Sequence, residues 1–197
     1  MVYVVVEGNI SSGKSTLINY MESNYPVDAE LEPVSIWQNY HNTNTLQEFY
    51  KNMQGRGLGF QLVVCDTFCN VQNELFKKPH NFKIQDRYPK SGLEIFTPLI
   101  DLPDYEKIAL HNIINRIPIH EPDVVAYLKC PVSVCQERLR IRNRSEESGV
   151  SLEYHSALET SIESWVAKQK FVITLDGTKP TKTIAENLYN NMQKFIL

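Results

Sequence analysis

The chain lacks the cysteine content of a disulfide framework and the spacing of a zinc site. Its four cysteines, Cys65, Cys69, Cys130 and Cys135, include no Cys-x-x-Cys pair and have no flanking histidines. Reduced thiols in a cytosolic protein are therefore the expectation. The five histidines, His41, His80, His111, His120 and His155, fall at no metal-ligand spacing, and none is assigned a catalytic role. No apolar run is long enough to span a bilayer, and the first residues read as a strand rather than a secretory signal. No membrane partner is expected, and the cytoplasm is the expected location. Charge of one sign is also missing. The formal net charge of -3 implies no general polyanion surface and no nucleic-acid partner, so any cations that hold phosphate must be local. Repeats, low-complexity tracts and Pro/Ser-rich linkers are absent, and 197 residues suit one α/β domain.

The most informative stretch lies at the start. Val2-Tyr3-Val4-Val5-Val6 reads as a strand buried on both faces, hence central and parallel. It runs into Gly8-Asn9-Ile10-Ser11-Ser12-Gly13-Lys14-Ser15-Thr16, which fits the phosphate-loop pattern Gly-x4-Gly-Lys-Ser. The glycines let backbone N–H groups turn toward phosphate oxygens, Lys14 reaches the terminal phosphates, and the Ser15 hydroxyl is placed to hold Mg²⁺. A strand before the motif and a helical stretch behind it argue against a chance match. A nucleoside triphosphate is the expected ligand.

Apolar strands alternate with helical stretches, which points to a parallel sheet covered by helices on both faces. Strands are predicted over Tyr3–Glu7, Asp28–Leu31, Lys83–Gln85, Val124–Leu128 and Phe171–Leu175. Helices are predicted over Lys14–Met21, Thr45–Met53, Leu58–Phe76, Tyr105–Arg116, Val132–Arg142, Leu152–Lys168 and Thr183–Phe195. Pro131 suits a first helical turn, Thr183-x-x-Glu186 reads as a capping box, and Gly55-Arg56-Gly57-Leu58-Gly59 reads as a flexible connection.

Ligands of open α/β sheets bind beyond the carboxyl ends of the strands. Two carboxylates stand at such ends, Glu32 before Pro33 and Asp86 before Arg87. Phosphoryl transfer needs a donor cradle, a metal, a group for the attacking hydroxyl, and cations for the transferred charge. Glu32 is the better candidate base, Asp86 a candidate for Mg²⁺, and Arg87 a cation near the reacting hydroxyl. A second signal is Arg138-Leu139-Arg140-Ile141-Arg142-Asn143-Arg144-Ser145-Glu146-Glu147. On a helix Arg138 shares a face with Arg142, and Arg140 with Arg144. A solvated amphipathic helix is the plain reading; beside a phosphate loop, a lid over the triphosphate at about residues 138–150 is the sharper one. One carboxylate of the Glu146-Glu147 pair is placed to accept from a sugar hydroxyl.

Taken in order, the phosphate loop, Glu32-Pro33-x-x-x-Trp37, Phe60-Gln61, Asp86-Arg87, Arg138 through Glu147 and Leu152-x-Tyr154 resemble the deoxyribonucleoside kinase family. That family includes the non-tetrameric thymidine, deoxycytidine and multisubstrate kinases. The resemblance implies a three-layer phosphate-loop kinase with a five-stranded parallel sheet, ATP and Mg²⁺ as donor and metal, and a homodimer formed through helices such as Leu58–Phe76 and Tyr105–Arg116. It implies that Glu32 is the base for the 5′-hydroxyl with Arg87 as its partner, and that Gln61 reads the pyrimidine edge. Trp37 and Phe96 would wall the base pocket together with Val64, Phe68 and Gly92, while Tyr50 and Glu147 would contact the 3′-hydroxyl. Arg138, Arg142 and Arg144 would be lid arginines, and Asp176-Gly177-Thr178-Lys179 would lie at the donor base.

Three departures stand out. Asp86-Arg87-Tyr88 replaces the Glu-Arg-Ser of cellular members and is nearer to herpesvirus thymidine kinases and to thymidylate kinases. The chain is short, as compact viral members are, which would place it in a host cytoplasm. Phe68 and Gly92 stand where deoxycytidine kinases carry an arginine and an aspartate, which favours a thymidine-type pocket. Thymidylate kinase is the first rival. It resembles its own relatives in carrying an arginine before the Glu-Pro pair, and Leu31 occupies that position here. The second rival is a phosphate-loop switch or binding module without acceptor chemistry. GTP-binding switches carry an Asn-Lys-x-Asp base-reading motif that this chain lacks, and an inactive module leaves Glu32, Asp86 and the arginines without a purpose.

Overall fold

A computed structural model describes residues 1–195. The chain runs through β1 (Val2–Glu7), α1 (Lys14–Asn24), β2 (Val27–Glu30), α2 (Val34–Gln38), α3 (Thr45–Lys51), α4 (Met53–Lys77) and β3 (Phe82–Asp86). A short helix α5 (Pro89–Ser91), a π-helical turn (Gly92–Phe96) and a 3-10 turn (Thr97–Leu99) lead into α6 (Asp104–Ile114). Then come β4 (Val124–Lys129), α7 (Val132–Arg142), a 3-10 turn (Ser145–Glu147), α8 (Leu152–Val166), β5 (Val172–Asp176) and α9 (Thr181–Met192), followed by a 3-10 turn (Gln193–Phe195).

The five strands form one parallel sheet in the order β2-β3-β1-β4-β5. Every residue of β1 is buried, as a central strand covered on both faces requires. Alternation along it sets the layers. Val2, Val4 and Val6 pack with Leu17, Ile18 and Met21 of α1 and with Ile184, Leu188 and Met192 of α9. Tyr3 and Val5 point the other way, toward Leu75 of α4 and Leu158, Ile162 and Trp165 of α8. This is the three-layer phosphate-loop kinase architecture with its five-stranded sheet. A third core, largely helical, joins Trp37, Phe49, Phe60, Val64, Phe68, Leu93, Ile100 and Leu110 beyond the strand ends.

Most element boundaries agree with the predicted ones to within a few residues, and three readings need correction. The glycine run at 55–59 is no connection but the first turns of α4. Asn52 breaks the chain between α3 and α4 and caps the latter, its side chain accepting from the Gly55 N–H at 2.9 Å. A Cβ on Gly57 would lie 2.4 Å from Ile100 Cγ2, so that glycine serves close packing rather than flexibility. Thr183 is not a cap either: α9 begins at Thr181, after Pro180. Pro131 likewise sits just before the first residue of α7 rather than within its first turn. The short helix α2 and the π-helical turn carry no period long enough to read in sequence, and both line the site.

Candidate active site

The carboxyl ends of β1, β2 and β3 converge on one cavity of about 540 Å³, lined at one end by Ile10 to Leu17 and at the other by Trp37, Gln61, Val64, Phe68, Gly92 and Phe96. The loop at its donor end is shaped by backbone geometry. Ser11 and Gly13 have positive φ (60° and 108°), and a Cβ on Gly8 would lie 2.7 Å from the Leu128 carbonyl oxygen. Lys14 is buried and donates to the carbonyls of Gly8 (3.2 Å) and Asn9 (3.1 Å). Burial first, and then the nearby Arg87 charge, lower its ammonium pKa. Ser15 Oγ donates to Asp86 Oδ2 at 2.8 Å, while Asp86 Oδ1 is buried without a partner.

Between the two ends stands an alternation of charges. The Arg87 guanidinium lies between Glu7, 3.0 Å from Nη1, and Glu32, 3.2 Å from Nε, with its carbon 4.9 Å from the Phe96 ring centre. Burial raises the Glu32 carboxyl pKa above its ordinary value, against the pull of Arg87. Burial also opposes the Arg87 charge, but Glu32, Glu7 and Asp86 more than offset it and raise the arginine's pKa. Arg87 is held at φ 68°, an uncommon conformation for a residue with a side chain.

The acceptor end is mostly apolar. Trp37 is fixed by its indole N–H donating to Thr67 Oγ1 at 2.8 Å, with Phe60 and Phe68 against it. Gln61 is 2% exposed and its Oε1 has no partner, an open acceptor in a dry wall. Gly92 and Phe96, four apart on the π-helical turn, both line the cavity. Tyr50 and Glu147 complete the lining on the lid side.

The arginines divide. Arg138 bridges the phosphate loop to the β5–α9 loop, donating to the carbonyls of Ser12 (2.8 Å) and Gly177 (3.0 Å). Arg142 and Arg144 both pair with the buried Glu147 carboxylate, the second at 2.8 Å. Arg140 is exposed and pairs with Glu137, so the solvated reading holds for it. The helix ends at Arg142 with Asn143 left-handed (φ 49°), and this takes Arg144 off the face it was expected to share with Arg140.

Several predicted contacts lie off the cavity. Asp176 accepts from Thr178 N and Oγ1, so the pair closes its own turn; Gly177 and Lys179 line the cavity instead. Asn9 turns under the loop, donating to the His155 carbonyl and to Glu159, and Gly8 acts by permitting close approach. Glu7 was missed, and a charged residue ending a wholly apolar strand was its one available signal. Tyr154, noted only as part of a motif, has a buried hydroxyl without a partner.

The family profile described as deoxynucleoside kinase matches residues 4–197. The thymidine kinase of Ictalurid herpesvirus 1 is 30% identical over 195 residues, which cover 93% of this chain and 82% of that protein. Human mitochondrial thymidine kinase 2 is 28% identical over 173 residues, 84% of this chain and 64% of its own length. A solved deoxyadenosine kinase from M. mycoides, with dCMP and dCDP products bound, shares the fold at a TM-score of 0.82. It has 19% identity and covers 98% of this chain and 100% of its own. The chain belongs to the deoxynucleoside kinase family, enzymes that phosphorylate a deoxynucleoside.

Proposed function

We propose that the chain, as one phosphate-loop kinase domain with a lid at about 138–150, transfers the γ-phosphoryl group of ATP to the 5′-hydroxyl of a pyrimidine deoxyribonucleoside, thymidine first. The observation that carries this is the continuous cavity, with the Glu32–Arg87 pair standing between a phosphate cradle and an apolar pocket that holds one open amide oxygen. The backbone N–H groups of Ser11 to Thr16 and the Lys14 ammonium bind the donor phosphates. Glu32 accepts the proton of the 5′-hydroxyl as its oxygen bonds to phosphorus and the bond to the departing ADP breaks. Arg87 orients Glu32, and Arg142 and Arg144 offset charge on the transferred group.

Mg²⁺ fits the residues present. Asp86 Oδ1 is buried and unpaired beside the Ser15 hydroxyl, an oxygen pair suited to a hard cation that keeps some of its water. Bound there, the ion supplies positive charge to the donor phosphates.

Gln61, Trp37, Phe68, Phe96, Val64 and Gly92 make the base pocket, and Tyr50 with Glu147 takes the sugar. A phosphorylated acceptor finds no fixed cation before the Glu-Pro pair, where Leu31 offers no charge. Exposed Leu62, Tyr105, Ile108 and Ile113 on α4 and α6 support a homodimer through those helices. Among the described residues no helix is long and apolar enough to cross a membrane. We place the enzyme in the cytoplasm, in nucleotide salvage. Initial rates with ATP and Mg²⁺ test the acceptor. Thymidine is expected to react fastest, deoxycytidine and deoxyuridine more slowly, purine deoxynucleosides weakly and thymidine monophosphate least. Faster conversion of the monophosphate than of thymidine refutes the assignment.

A further inference from the structure

Two adjacent carboxylates on the turn Ser145–Glu147 hold different elements of the fold. Successive side chains of a 3-10 turn stand about 120° apart, so neighbours do not share partners. Glu147 holds Arg142 and Arg144. Glu146 turns to the acceptor side, where its Oε1 accepts from Gln38 Nε2 and from Asn44 Nδ2, both at 2.9 Å.

Those two donors stand at the base of the acceptor walls. Gln38 follows Trp37, whose carbonyl accepts from Thr45 Oγ1 at 2.8 Å. Asn44 caps α3, accepting from Gln47 N at 2.9 Å, and α3 carries Phe49 and Tyr50 into the cavity. Glu146 is 9% exposed. The Asn44 hydrogen bond, first among several, holds its carboxyl down to about 2, so it is charged at any working pH. Hydrogen bonds to an ionised acceptor are roughly twice as strong as neutral ones.

We propose that Glu146 is a positioning residue that latches the lid arginines to the acceptor walls, so that nucleoside and donor each favour the binding of the other. A nucleoside seated against Trp37 and Tyr50 orders the segment that carries Gln38 and Asn44. Those two fix Glu146, and the next peptide unit fixes Glu147 and its arginines, which the donor phosphates need. The coupling is reciprocal, because a change in one ligand's affinity caused by the other must hold in both directions. The inference rests on the proposed roles of Trp37, Tyr50, Arg142 and Arg144.

The test is calorimetric titration of a non-hydrolysable ATP analogue with Mg²⁺, with and without the nucleoside that the wild type phosphorylates fastest. Choosing that nucleoside leaves the latch testable even if thymidine is the wrong acceptor. In the wild type the nucleoside should tighten analogue binding about fivefold or more, within the ordinary range of coupling between sites. Glu146→Ala should bring the ratio to about one, while each ligand alone binds within about twofold of wild type. Gln38→Ala, a half-buried side chain whose loss leaves the lid intact, guards against misfolding and should lower the ratio too. Glu146→Gln keeps an oxygen that accepts both bonds but loses the charge, and should retain a coupling between those of the wild type and Glu146→Ala. Undiminished coupling in both alanine variants overturns the latch. So does a wild type without coupling, or variants in which only nucleoside binding falls.

Discussion

The donor and acceptor ends of the cavity are built in different ways. The donor end is one run of nine residues on a buried strand, and its geometry follows from local chemistry: two glycines, a lysine and a hydroxyl at fixed spacing. The acceptor end takes a few residues each from α2, α3, α4, the π-helical turn and the lid. No two of its key groups, Trp37, Tyr50, Gln61, Phe96 and Glu147, are neighbours in sequence. A backbone cradle tolerates change in most of its side chains. A wall assembled from distant elements depends on what holds each element, and so it is where specificity can vary while chemistry stays fixed.

The largest effects should fall where the two ends meet. Lys14→Ala removes the ammonium meant for donor phosphates, and Glu32→Gln removes the proton acceptor. Both should lower kcat about a hundredfold or more, the usual scale for losing a general base or an electrostatic contact. They should differ in binding, since Lys14→Ala weakens ATP while Glu32→Gln leaves nucleoside affinity nearly unchanged. Titration of each ligand alongside steady-state rates separates them. Near-normal turnover in Glu32→Gln removes that residue from the mechanism.

A smaller effect should come from below the junction. Glu7 is completely buried, with Oε2 on Arg87 and Oε1 accepting from Tyr88 N at 3.2 Å and from Ser91 Oγ. Glu7→Gln removes one charge-assisted bond to Arg87, a loss of about 1.5–3 kcal/mol or roughly ten- to a hundredfold in rate if it acts through Arg87 alone. The pH profile distinguishes positioning from packing. Burial raises the Glu32 carboxyl pKa, Arg87 lowers it, and Asp86 and Glu7 raise it again. Glu32 must be ionised to accept a proton, so activity is lost as pH falls through its pKa. Without the Glu7 charge that pKa drops, and the acid limb should move to lower pH. An unmoved limb would make Glu7 a structural residue only.

Base reading is next in size. Gln61 Oε1 is the open polar atom of an otherwise dry wall. Gln61→Leu should cost on the order of 1–3 kcal/mol in kcat/KM for thymidine, because the base then loses its partner in a closed pocket. Equal kcat/KM for wild type and variant would assign Gln61 to packing.

This contrast also explains what could be read from the amino-acid order alone. The central strands β1 and β4 and the phosphate loop were legible because burial on two faces and motif spacing are written in consecutive residues. Glu32 and Asp86 were legible because strand ends locate carboxylates. The acceptor walls came from family resemblance, since Trp37 and Phe96 carry no local mark that separates a base wall from ordinary core. Arg140 shows the limit of helical spacing, because one left-handed Asn143 ended the face that spacing had extended to Arg144. Asp176 and Thr178 show that a loop's place does not say which of its atoms turn inward.

The smallest expected effect bears on whether the acceptor wall is rigid. Glycine composition reads residues 55–59 as flexible, whereas the structure makes them the start of α4, which carries Phe60, Gln61, Val64 and Phe68. Two substitutions in that one helix should move stability in opposite directions. At Gly59 a Cβ meets nothing within 4 Å, so Gly59→Ala gains helix propensity and should stabilise by about 0.5–1 kcal/mol. At Gly57 the Cβ would lie 2.4 Å from Ile100 Cγ2, and Ile100 is 2% exposed with a branch fixed at its β-carbon. Overpacking costs about 1–3 kcal/mol and should outweigh the same gain in propensity. Gly57→Ala is therefore expected to lower Tm and Gly59→Ala to raise it in parallel melts. The strain at Gly57 is also passed to the helix that holds Gln61, so its KM for nucleoside should rise while its KM for ATP stays level. If both alanines stabilise, the segment yields as a flexible connection would, and the acceptor wall is softer than the donor cradle it faces.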